Sequence, residues 1–81
     1  MTKEQYVEFL HKAEGMLGLL ANSQPARQSP EPDRLFMRGV IDRMRTVLEA
    51  PWSRPTEAQR AKAKRLLDQL DRVEEYHFLK P

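Results

Sequence analysis

Glu8, His11 and Glu14 stand three residues apart, a spacing that sets two carboxylates and an imidazole along one side of a helix. Those groups suit a divalent cation or a proton transfer. The wider sequence supplies little to complete such a site. There is no His-Glu-x-x-His pattern, and the other histidine, His77, lies far along the chain. There is no cysteine, which excludes disulfides and thiolate metal sites. A glycine-rich phosphate loop and a nucleophile elbow are also absent. The expectation is a protein that is not an enzyme, with no cofactor and no metal.

Cations offer the other chemistry. Residues 56–75 open with Arg60, Lys62, Lys64 and Arg65 and close with Asp68, Asp71, Glu74 and Glu75. A helix favours the opposite order, because its first amides carry partial positive charge and its last carbonyls negative charge. Something other than the local backbone must hold those charges in place. The Arg60, Lys62, Lys64 and Arg65 cluster would suit phosphates or an acidic partner. The plainer reading is a solvated face with local pairs, such as Lys64 with Asp68 and Asp68 with Arg72. Arg34, Arg38 and Arg45 project to within about 40° of one another on a helix. They form either the rim of an apolar face or an edge suited to carboxylates and phosphates. Thr56, Gln59, Arg60 and Lys62 are chemically suited to a helix-turn-helix reader. The preceding Pro51-Trp52-Ser53-Arg54-Pro55 is too long and stiff for the usual turn.

Three helices must position these groups. Thr2-Lys3-Glu4-Gln5 reads as a capping box, and Tyr6, Phe9, Leu10, Ala13, Met16, Leu17 and Leu20 follow at steps of three and four. That pattern predicts a helix over about 3–21. A polar loop at about 22–31 follows. Phe36, Met37, Val40, Ile41, Met44, Val47 and Leu48 then fill one arc of a helix over about 31–49. Thr56-Glu57-Ala58-Gln59 is a second capping box, opening a helix over about 56–76 with Leu66, Leu67, Leu70 and Val73 as its large apolar residues. The prediction is an all-α fold, a small three-helix bundle, as one domain over 1–81.

The 81 residues, 40% apolar and 32% charged, match a single well-solvated domain with a thin core. A formal charge of +2 is too small to imply nucleic acid by itself. No stretch has the length or purity of a membrane span or signal peptide, so no membrane role and a cytoplasmic location are expected. Leu19 and Leu35 fall on polar sides of their helices, and Trp52 sits between prolines as either a core plug or an interface anchor. Gly15 and Gly18 would weaken or notch the first helix. More apolar and cationic surface is present than three short helices can bury.

The function expected is that of a non-catalytic interaction or regulatory protein. It would bind a protein partner or form a homo-oligomer through Leu19, Leu35, Arg34, Arg38, Arg45 and Trp52. The alternative is a nucleic-acid-binding helical protein using Arg60, Lys62, Lys64 and Arg65. A variant of that alternative is a modulator or inhibitor docking on a nucleic-acid-handling complex.

Overall fold

A computed structural model describes residues 2–49 and 54–79. Three helices carry the fold: α1 (Lys3–Ala21), α2 (Glu31–Glu49) and α3 (Glu57–Glu74). A single 3-10 turn, Ala26–Gln28, lies between α1 and α2, and α3 runs on into a π-helical turn, Glu75–Leu79. No strand occurs among the described residues, and the architecture is an all-α three-helix bundle.

Both capping boxes form. The Thr2 hydroxyl accepts the Gln5 N–H at 3.2 Å, and the Gln5 side-chain oxygen accepts the Thr2 N–H at 2.9 Å. Thr56 and Gln59 repeat the arrangement at 3.1 and 2.8 Å. Each box satisfies two amides that the first helical turn leaves without intrahelical partners. α2 begins on the Pro30 carbonyl, which accepts the N–H groups of Asp33 and Arg34, with Glu31 and Asp33 at the favourable end of its dipole. At the end of α1, the Asn22 side chain donates to the Gly18 carbonyl at 2.9 Å and the Ser23 hydroxyl to that of Leu20 at 3.0 Å.

The three helices run up, down and up. Glu14 of α1 meets Lys62 and Arg65 while Leu20 meets His77, so α1 and α3 are parallel. Arg38 and Arg45 of α2 reach Glu74 and Asp71, so α2 runs antiparallel to α3. α3 is the hub: α1 and α2 make their principal contacts with it rather than with each other. Its face of Ala63, Leu66, Leu70 and Val73 is buried against Tyr6, Leu10, Ala13, Leu17 and Leu20 of α1 and Ile41, Met44 and Leu48 of α2. The sparse apolar content of α3 is offset by its central place, which buries Ala63, Leu66, Leu70 and Val73.

Two expectations about the core are corrected. Phe36 and Met16, read from spacing as core-facing, are 73% and 43% exposed. On α2 the buried line is Ile41, Met44 and Leu48, and Phe36 projects about 140° away from Ile41. A helix that leans mainly on one neighbour buries a narrow stripe, and the edge of its apolar arc is left outside.

Candidate functional site: an open groove between α1 and α2

Because α1 and α2 lean on α3, the side of the pair facing away from α3 stays open. Phe9 of α1 and Val40, Arg43, Met44 and Val47 of α2 line a groove there. Helical spacing extends the apolar lining along both walls. Met16 follows Phe9 by two turns and Phe36 precedes Val40 by four residues, whereas Leu19 projects about 80° from Phe9, just outside Lys12 on the groove's rim. Leu19 is 70% exposed, among the largest exposures of any apolar side chain described. Phe9, Val40 and Val47 are half-buried, as the floor of such a groove would be. Gln5, Lys12 and Arg43 border it on projection. Lys12 is tied to Glu8 at 2.7 Å, an exposed pair that holds the Glu8 carboxyl below its ordinary range through the hydrogen bond and the charge of Lys12. Arg43 is exposed and has no ion pair among the described residues.

Leu35 lies elsewhere. It is 64% exposed on the opposite flank of α2, one turn before Arg38. Leu19 and Leu35 are therefore both on the surface and do not share a wall of the groove. Trp52 falls outside the described residues.

Two arginines of α2, Arg38 and Arg45, face the molecule's own acids. Arg38 pairs with Glu74 and, at 3.1 Å, with Asp42. Arg45 pairs with Asp71 at 2.6 Å and with Glu74 at 3.0 Å. Glu74 thus bridges two guanidinium groups. Their acid partners, chiefly Glu74 for Arg38 and Asp71 for Arg45, raise both arginines above their ordinary range. Arg38 also lies 4.8 Å from the centre of the Phe78 ring, a cation–π contact. Arg34 donates to the Ser29 carbonyl at 2.7 Å and closes the loop onto the start of α2. These contacts account for two of the misplaced acids of α3: Asp71 and Glu74 answer to arginines on the next helix.

The basic half of α3 divides. Arg65 and Lys62 share Glu14 of α1 at 3.0 and 3.9 Å. Arg60 and Lys64, one turn apart, are exposed and have no ion pair among the described residues, as is true of Arg54. Glu14, held by Arg65, and Glu8, held by Lys12, do not converge with His11. No group of three metal-ligating side chains gathers among the described residues.

The most built polar site centres on a residue that no motif in the sequence marks. His77 is fully buried, with both ring nitrogens used. Its Nδ1 accepts the Ala26 N–H at 2.9 Å, and its Nε2 lies 2.8 Å from the Leu20 carbonyl oxygen. A carbonyl only accepts and an amide N–H only donates, so the ring is the neutral form protonated at Nε2. The signal was present: Leu66, Leu70 and Val73 step by four and three, and the next step of four lands on His77. Around it, the Tyr76 hydroxyl donates to the Ser23 carbonyl at 2.6 Å and Arg27 donates to the Tyr76 carbonyl at 2.6 Å.

No helix among the described residues is long and apolar enough to cross a membrane. No protein-family model, curated protein or solved structure matches this chain.

Proposed function

We propose that this chain is a non-catalytic interaction module whose α1–α2 groove receives an amphipathic helix of a protein partner. The incoming helix would lie against α1 and α2 as α3 does on the other side, turning three helices into four. The observation that carries this reading is the exposed row of Met16, Leu19 and Phe36 beside the groove floor of Phe9, Val40 and Val47. Full burial of one such side chain is worth about 1.5–3 kcal/mol, and the three are 43%, 70% and 73% exposed, so the row offers a gross gain of about 3–6 kcal/mol. Ordering and association costs consume much of that, which fits a reversible contact rather than a permanent one. The fitting partner has apolar residues at helical steps of three and four, flanked by acids that meet Arg43, which has no ion pair among the described residues.

The absence of cysteine makes the test clean, since a fluorophore can be placed at one introduced thiol. Met16→Cys carries the label in the groove and Leu35→Cys carries it on the far flank of α2. The probe is a helical peptide with leucines at steps of three and four and glutamates between them. The expected result is a saturable response from the label at 16, a much weaker one at 35, and loss of both when Phe36→Glu is added with helicity intact by circular dichroism. No response at 16, or one that Phe36→Glu leaves unchanged, overturns the proposal. Sedimentation of the unlabelled chain supplies a second arm. Self-association that Phe36→Glu abolishes would assign the groove to a second copy instead.

Nucleic-acid binding is the second reading, supported by Arg54, Arg60 and Lys64 standing without acid partners among the described residues. It requires retention on a generic duplex at low salt and a salt slope that flattens in the Arg60→Gln, Lys64→Gln double variant. A modulator of a nucleic-acid-handling complex would use the groove for its protein contact and these bases for the charged surface beside it.

A further inference from the structure

The end of the bundle formed by the C-termini of α1 and α3 is closed by polar contacts between the loop after α1 and the π-helical turn. Ala26 is buried at the joint, and its N–H donates to His77 Nδ1. Leu20 accepts from Nε2, while Tyr76 and Arg27 complete the strap through Ser23 and the Tyr76 carbonyl. All the partners of the ring are backbone groups, which cannot change sign. The ring therefore fits in one state only, with a lone pair at Nδ1. A proton added there would set one N–H against another across 2.9 Å and leave a buried cation with no carboxylate hydrogen-bonded to it.

Among the described residues, the charged and titratable groups nearby offer no compensation. The loop contributes Arg27, a cation. The π-helical turn contributes Tyr76, whose ring meets His77 edge-on at 5.0 Å and whose hydroxyl is engaged with Ser23. α2 contributes Arg38, stacked on Phe78 and committed to Glu74 of α3. α1 presents the Leu20 carbonyl, and Glu75 at the head of the turn is exposed.

We propose that His77 is a proton-released latch. With the ring neutral it binds the loop containing Ala26–Gln28 to the turn Glu75–Leu79. With the ring protonated, those two segments part while the helical core persists. The core does not depend on the latch, because Leu66 and Leu70 of α3 are packed between α1 and α2 well before the strap begins. Release would uncover Ala26 and the Leu20 end of α1, adding apolar surface at that end of the bundle.

Amide exchange of the full chain, followed by NMR between about pH 8 and pH 5, tests this across the ordinary range of histidine. The expected result is that the Ala26 protection factor, corrected for intrinsic exchange, falls about tenfold per pH unit once the ring begins to charge, the signature of one proton. Resonances of 23–28 and 76–79 should move at lower pH, where the parted form becomes populated, while Leu66 and Leu70 amides stay protected. His11→Gln, which touches nothing in the strap and leaves His77 as the sole histidine, should retain the whole effect. In His77→Gln, if it folds, the dependence should vanish. Ala26 protection that is flat with pH in the His11→Gln chain overturns the latch. So does simultaneous loss of the Leu66 and Leu70 amides, which would mean global unfolding.

Discussion

Tyr6 packs into the core with no exposed surface, yet its hydroxyl has no hydrogen-bond partner among the described residues. Leaving such a group buried and unpaired costs about 1–3 kcal/mol, so Tyr6→Phe is expected to raise stability by about 1 kcal/mol in urea denaturation. The same burial lifts the Tyr6 phenol above its ordinary value of 10.0. The folded chain therefore holds that proton more tightly than the unfolded chain does. Stability is unaffected below the unfolded value and falls as pH rises past it; Tyr6→Phe should remove this tyrosine's share of the alkaline loss. His77 is the contrasting case, a polar group equally buried and fully satisfied. The two differ because His77 meets backbone groups at helix ends, where amides and carbonyls keep hydrogen-bonding capacity to spare, whereas Tyr6 lies within the apolar core cluster.

Between elements, the clasp of Arg38 and Arg45 on Glu74 is the principal polar tie of α2 to α3. Exposed ion pairs contribute little singly, but here one half-buried carboxylate serves two guanidinium groups. Glu74→Gln is expected to cost about 1 kcal/mol by thermal or urea denaturation, and the loss should shrink at high salt. Asp42→Asn, which removes an exposed pair within α2 alone, should be near neutral. The helices and both caps were legible in the sequence, because a capping box and a three-four spacing are local signals that tertiary packing did not override. The reversed charge order of α3 was also legible as an anomaly. Its resolution was not, since the partners of Asp71 and Glu74 lie more than 20 residues away and depend on which faces α2 and α3 present. Phe36 and Met16 were misplaced for a related reason: spacing shows that a residue belongs to an apolar arc, not how much of that arc a neighbour covers. Of the candidate site, Leu19 was visible as a stray leucine. The groove needed the geometry of two helices leaning on a third.

The molecule as a whole measures 39 × 20 × 17 Å, about twice as long as it is wide. The end formed by the C-termini of α1 and α3 and the start of α2 carries Leu19, Leu35, Phe36 and Leu79 exposed, together with the His77 strap. The other end carries Arg54 and Arg60, with Val7 also exposed there beside Gln59. A single central helix supports both, so damage to it should not stay local. Leu70→Ala is expected to cost about 2–5 kcal/mol, comparable with the whole stability available to a domain this small. Circular dichroism and near-ultraviolet signals should then fall together, with no residual α1–α2 pair.

The order of the helices along the chain gives that architecture a kinetic meaning. During translation α1 and α2 emerge first, each with an apolar stripe and no adequate surface to cover it. The helix that both require follows only after the proline-bounded segment at 50–55. A nascent polypeptide halted before residue 57 would hold two sticky, unstable segments and no cooperative unit, an interval in which chaperone capture competes with misassembly.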